Sequence, residues 1–366
     1  MTKVGIISMQ KVPNYGSFLQ AYALKQLLLK AGADSVDFLD IEKGRQFLPS
    51  NPSGRWFSHL KDILSGKFVS KMKTCSYLKV KHERFLPYYD YFRNDNPADM
   101  IYDLAVIGSD EVFNCCQPSP WGFSRQLFGD VENSRKAITY AASFGSTTKQ
   151  KIEQYGLNAE IVECLKKLSA ISVRDDNTFE IVRDLTGKIP EKHLDPVLVY
   201  GYKAELERNA DAVVPQDGFM IVYSYAGRIE DKKEISSITD FAKQRGLKLY
   251  SLFCNYDWCD GEIVPEHPLQ VPAIFKRAGY AVTDTFHGTI FSIISHTKFA
   301  TLVRPGNVHK LSSLLDGVGL IDRIVKEPGS LASVIEREIN YDDVERVLDN
   351  ERLRTSDYLT QQLRGE

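Results

Sequence analysis

Two successive alternations of short apolar strands with amphipathic helices, over 1–200 and 201–340, predict an α/β chain of two Rossmann-like, doubly wound domains. Two further observations support this. At 366 residues the chain is longer than one core normally fills, and small or polar residues directly follow several apolar runs, as they do at ligand-binding strand ends. Two such sheets presenting their carboxyl-end loops to each other would enclose a cleft.

The elements follow in order. Lys3 to Met9 reads as a strand, Pro13 to Ser17 as a turn and Phe18 to Leu29 as an amphipathic helix, with Ser35 to Ile41 the next strand. The turn NYGS is not the GxGxxG dinucleotide fingerprint, but it places Asn14, Tyr15 and Gly16 at the carboxyl end of the first strand. A segment at about 43–97 reads as a helical insertion. From Lys43 to Arg84 it carries ten lysines and arginines against only Asp62 and Glu83, interleaved with Phe47, Trp56, Phe57, Phe68 and Tyr77. A solvated helical face explains such a run; the sharper alternative is a dock for an anionic or lipid-linked acceptor at a membrane surface.

The sheet pattern resumes with Leu104 to Ile107, which ends at Gly108, Ser109 and Asp110; Asp110 suits either a ligand or a cap. Lys136 to Gly145 is the next strand, Lys151 to Leu168 a helix and Ala170 to Asp176 a strand. Arg174 lies at the end of that strand. Its planar fork suits a phosphate or carboxylate, and the structural alternative is an ion pair with Asp175 or Asp176. HLDPVLVY closes the first half, and the boundary falls near Gly201.

The second half repeats the pattern with strands at Phe219 to Tyr225, Lys248 to Phe253, Tyr280 to Thr283 and Lys298 to Arg304. Helices fill Asp231 to Arg245 and Pro268 to Arg277. The loop from Cys254 to Pro268 carries Tyr256, Asp257, Trp258, Asp260, Glu262, Glu266 and His267, a set that could stack on and bond a sugar. Cys254, Cys259 and His267 lack zinc-site spacing, so no metal is expected. In AVTDTFHGTIFSIISH, Asp284 or Thr285 can cap a helix whose first turn holds His287, where free backbone N–H groups favour an anion beside a titratable imidazole. Gly288 and Thr289 share that turn, and Lys310 opens the next helix. Residues 341–366 form a charged helix expected to cross back onto the first domain.

Composition narrows the function classes. A formal net charge of -2 gives no global pull toward nucleic acid. The six cysteines form no CxxC pair and read as reduced thiols. With neither a signal-peptide run nor an apolar stretch of membrane-span length, the expected location is the cytoplasm, with the inner face of the membrane as the alternative.

The segments NYGSFLQAYAL, DLAVIGSDEVFN, YAASFG, ISVRDD, LDPVL and TDTFHGTIFSI, in this order, resemble the polysaccharide pyruvyl transferase family. The resemblance implies a glycosyltransferase B-like arrangement of the two domains. It also implies transfer of the pyruvyl unit of phosphoenolpyruvate, as a ketal, to a sugar of a cell-surface polysaccharide or its precursor, with release of phosphate and no cofactor. Whether the sugar acceptor is lipid-linked, nucleotide-linked or polymeric stays open. By the same resemblance Arg174 grips the donor and His287 acts as acid, and Lys310 lies near where some members place a further basic residue. Asn14, Tyr15, Gly16, Ser109, Asp110, Asp284, Gly288 and Thr289 complete the candidate binding set. The chain departs from the family at Glu111 and Phe113, and its NYG loop replaces a more usual form, which leaves a ligand role for the GSDE loop open. A nucleotide-sugar glycosyltransferase of the same fold, and a non-catalytic sugar or phosphate binder, are the alternatives.

Overall fold

The computed structural model describes residues 1–47, 83–97, 99–117, 119–209, 211, 214–215 and 218–365. The basic stretch with its aromatic residues lies largely outside the described residues. Within them, two six-stranded sheets form, and every strand pair in both is parallel.

The first sheet has the order β2-β1-β3-β4-β5-β6, built from Lys3–Ile7 (β1), Ser35–Leu39 (β2), Leu104–Asp110 (β3), Ala137–Ala142 (β4), Ser172–Val173 (β5) and Glu191–Lys192 (β6). The second has the order β12-β11-β10-β7-β8-β9, from Phe219–Tyr223 (β7), Lys248–Leu252 (β8), Gly261–Ile263 (β9), Tyr280–Thr283 (β10), Lys298–Leu302 (β11) and Ile324–Val325 (β12). Burial on both faces explains their continuous apolar runs, such as the wholly buried FMIVY of β7. Strand order reverses between β1 and β3 in one sheet and between β7 and β10 in the other. A crevice opens at the carboxyl edge of such a reversal, and here the two reversals face each other.

Several elements differ from expectation for local reasons. The helix expected over 151–168 is two helices, Lys149–Gln154 and Asn158–Leu165, separated at Gly156, whose φ of 65° no regular helix accommodates. The strand expected over Ala170 to Asp176 shortens to β5 because Asp175 leaves the sheet to cap the Asp176–Thr186 helix, accepting from the Thr178 amide at 2.9 Å. The loop expected from Cys254 contains the edge strand β9.

The halves share one apolar core. Tyr15 of the Tyr15–Lys30 helix packs on Phe253 of the second half at a 5.6 Å ring separation and on Phe85 at 5.1 Å. The Tyr341–Arg364 helix follows the second sheet and returns to the first. Tyr358 donates to the Thr139 carbonyl at 2.8 Å, Glu351 accepts from the Leu194 amide at 2.9 Å, and Leu348 and Leu359 are buried beneath it. No described helix is long and apolar enough to cross a membrane. This docking predicts that Leu359→Ala lowers stability by about 2–5 kcal/mol in urea unfolding, whereas Leu353→Ala, on the exposed face, changes it by less than about 0.5 kcal/mol. Equal effects would mean the helix is not seated as described.

Candidate functional site

A cavity of about 420 Å³ lies where the two strand-order reversals meet. Asn14 and Ser17 enter it from the end of β1, Asp110 and Glu111 from β3 and Arg174 from β5; Tyr225 and Arg228 come from the end of β7 and Phe286 and His287 from β10.

Its floor is a buried ionic cluster centred on Asp195. The Asp195 side chain is fully buried, its Oδ1 caps the Pro196–Tyr200 helix through the Val197 amide at 3.0 Å, and its Oδ2 gathers three groups. Arg174 Nη1 donates to that oxygen at 2.7 Å, Ser109 Oγ donates at 3.2 Å, and His287 Nε2 lies 3.6 Å away. The last distance is an ion-pair approach rather than a made hydrogen bond. Burial alone would raise the Asp195 carboxyl; the His287 imidazole and Arg174 guanidinium outweigh it and hold the group well below the ordinary carboxylate range. Arg174 also lies 3.5 Å from Asp110, and its guanidinium stacks on the Phe286 ring at 4.2 Å. Its partners are therefore Asp195 and Asp110, not the adjacent Asp175 or Asp176.

His287 reaches the cluster because Thr285 caps the Phe286–Ile294 helix, accepting from the Gly288 amide at 2.9 Å. The imidazole then rests on the first turn of the helix from the other half. A Cβ on Gly16 would lie 2.2 Å from His287 Nδ1, so only glycine fits there. Asn14 accepts from the Gly16 amide at 2.8 Å and donates across the cleft to the Tyr225 hydroxyl at 2.7 Å. His287 Nε2 and Arg174 Nε are buried, and neither forms a hydrogen bond among the described residues. Unpartnered buried donors or acceptors at a cavity wall are what a polar ligand would satisfy.

A second ion pair spans the cleft. Lys310 Nζ meets Glu111 at 2.6 Å, and Glu111 also accepts from Asn114 at 2.6 Å. Burial would raise the Glu111 carboxyl, but Lys310 and Asn114 together pull it down to about 2. Asp110, in the left-handed region at φ 72°, accepts from Ser17 at 3.0 Å.

Not all candidate residues reach the cavity. Asn14, Asp110, Arg174, His287 and Lys310 line it, with Ser109 and Gly16 directly behind. Tyr15 belongs to the apolar core. Asp284 is buried against Ser224 at 2.7 Å and Arg304 at 3.2 Å. The Gly288 amide is consumed by the Thr285 cap, so it cannot hold an anion, and the Thr289 hydroxyl donates to Thr285 O at 3.0 Å within the helix. The aromatic residues of the Cys254–Pro268 loop turn inward while Asp257, Asp260 and Glu266 stay exposed: the Tyr256 hydroxyl donates to Tyr225 O at 2.7 Å, Trp258 packs on Tyr256, and His267 caps a short helical turn. Trp121 and Tyr225 line the cavity instead. Asp195, Glu111, Trp121 and Arg228 were missed as site residues. For Asp195 the available signal was the LDPVL segment, read above as closing the first half and as part of the family resemblance.

Glu111 supplies a pH-dependent prediction. Its folded-state carboxyl is lowered from an ordinary 4.5 to about 2, so its stabilisation is complete above the ordinary value and is lost as pH falls from about 4.5 toward 2. Glu111→Gln should be less stable than wild type at neutral pH, with the gap narrowing across that window in urea titrations. A gap that stays constant would show that the Lys310 pair does not stabilise the fold.

Solved structures with the same fold include UGT89C1 from Arabidopsis thaliana in complex with quercetin, at 11% identity and a TM-score of 0.51 over 99% of each chain. Another is the UDP-GlcNAc 2-epimerase from Neisseria meningitidis bound to UDP-GlcNAc, at 9% identity and a TM-score of 0.50 over 100% of each chain. These likenesses establish a glycosyltransferase B-like pair of Rossmann-like domains. Comparison with curated proteins gives no match. Residues 14–304, which carry every side chain of the cavity except Met9, Val12, Asn307 and Lys310, match the family model for polysaccharide pyruvyl transferase, and the chain belongs to that family.

Proposed function

We propose that the cavity transfers the pyruvyl group of phosphoenolpyruvate to two hydroxyls of a sugar, as a cyclic ketal, and releases phosphate. The observation that carries this reading is His287 Nε2, buried at the cavity wall without a hydrogen bond among the described residues and 3.6 Å from the Asp195 carboxylate. Protonated, His287 gives its proton to the methylene carbon of phosphoenolpyruvate, and positive charge develops on the neighbouring carbon. A sugar hydroxyl attacks that carbon and loses its proton. The carbon–oxygen bond to phosphate then breaks, and the second hydroxyl attacks the same carbon, giving its proton to the departing phosphate, and closes the ketal. Asp195 positions both His287 and Arg174. The donor's negative charge falls to Arg174 and Lys310, while Trp121 and Tyr225 offer flat faces to a sugar ring.

Because Lys310 is paired with Glu111, an anionic donor must compete for it. Glu111→Gln is therefore expected to lower KM for phosphoenolpyruvate, while Lys310→Ala raises it; an unchanged KM in both would remove Lys310 from the donor site. His287→Ala should lose about 10²–10⁴-fold in phosphate release from phosphoenolpyruvate with a panel of sugar diols. Gly16→Ala should displace the imidazole and cost roughly 10²-fold in kcat while leaving the helix intact, since alanine is the better helix former. Full turnover in His287→Ala would overturn the proposed acid. Thermal shifts with phosphoenolpyruvate and with UDP-sugars separate this reading from a nucleotide-sugar donor, and stabilisation without turnover would indicate a binder.

A further inference from the structure

Directly after the GSDE loop come two adjacent cysteines that the proposed chemistry does not use. Cys115 and Cys116 are both buried, and their sulfurs lie 3.9 Å apart, in contact. Their neighbours in sequence, Asn114 and Gln117, line the cavity, so a small oxidant entering it comes within a residue of the pair. A chain of hydrogen bonds ties them to the cross-cleft ion pair. The Cys116 amide donates to Thr147 Oγ1 at 3.1 Å, Thr147 donates to Asn114 at 2.7 Å, and Asn114 donates to Glu111, the partner of Lys310.

We propose that Cys115 and Cys116 form a redox modification site that a peroxide closes to a vicinal disulfide, releasing the loop that holds Glu111 against Lys310. In the first step the Cys116 thiolate attacks one peroxide oxygen. The oxygen–oxygen bond breaks, leaving a sulfenic acid on Cys116 and a hydroxide that takes up a proton as water. Cys115 sulfur then attacks the sulfenic sulfur, the sulfur–oxygen bond breaks, and the second oxygen departs as water with the Cys115 proton. Two electrons pass from the sulfurs to the peroxide.

The order of attack follows from the surroundings. Contact with the Cys115 sulfur lowers the Cys116 thiol; burial opposes this, and Thr147 and Lys151 reinforce it. Adjacent Cα atoms are about 3.8 Å apart, below the ~4.4 Å lower end of ordinary disulfides, so the bridge carries strain and is readily reduced again. Bringing the sulfurs from contact to bonding distance requires the 115–116 peptide to reorient. That reorientation breaks the hydrogen bond from the Cys116 amide to Thr147 Oγ1.

The test uses the wild-type chain treated with stoichiometric hydrogen peroxide. Trypsin releases Asn94 to Arg125, whose cysteines are Cys115 and Cys116 alone. The expected peptide is lighter by two hydrogens, resists alkylation, and returns to its original mass with dithiothreitol. Cys115→Ser should stop at a dimedone-reactive sulfenic acid on Cys116. On oxidation, amide hydrogen exchange over 110–117 should rise about tenfold in the wild type but not in peroxide-treated Cys115→Ser. Direct oxidation of either thiol to sulfinic acid, or continued alkylation of both, would overturn the site. Disulfide formation with unchanged exchange would overturn its coupling to the loop.

Discussion

The geometry of the cavity depends on one buried carboxylate. Asp195 caps its own helix and meets an arginine from the first sheet, a serine behind the cavity and a histidine from the opposite half. A carboxylate this deep is costly to bury unless its charge is matched, and removal of Arg174 would leave that charge uncompensated. Asp195 therefore constrains the seam between the halves as much as it stabilises either one. The same cluster brings His287 across the cleft, and the missing side chain of Gly16 makes room for it.

The cavity's cations are balanced before any ligand arrives. Arg174 faces Asp195 and Asp110, Lys310 faces Glu111, and Arg228 comes within 4.0 Å of Asp284. This matching keeps the seam closed and stable without substrate. The anionic donor proposed above would bind by exchanging partners instead of filling a bare positive pocket, which would couple binding to small movements of the acidic loop. A loop that must exchange partners is also a place where a neighbouring covalent change can act.

Much of this was legible in the sequence because parallel strands buried on both faces read as continuous apolar runs, and cavity-lining residues follow them. Arg174, His287, Asn14 and Asp110 were found that way, each at a strand end. Asp195 was not, because it lies beyond the two-residue edge strand β6 and its contacts are to residues far away in the chain. Glu111 was discounted for departing from a familiar pattern, although its cross-cleft partner is what gives it a role. Gly288 and Thr289 were over-read: a helix start offers amide groups only where its own cap leaves them free, and Thr285 takes the one at Gly288. Tyr256 and Trp258 could not be told from cavity residues by composition, since an aromatic loop packs inward as readily as it faces a sugar.

The most direct measurement is a crystal structure of the chain with an unreactive phosphoenolpyruvate analogue bound. The expected complex places the analogue's phosphate and carboxylate on Arg174 and Lys310, with Glu111 displaced, and the methylene position within reach of His287 Nε2. An analogue bound away from this cavity, or held in it with His287 Nε2 turned from the methylene carbon, would contradict it.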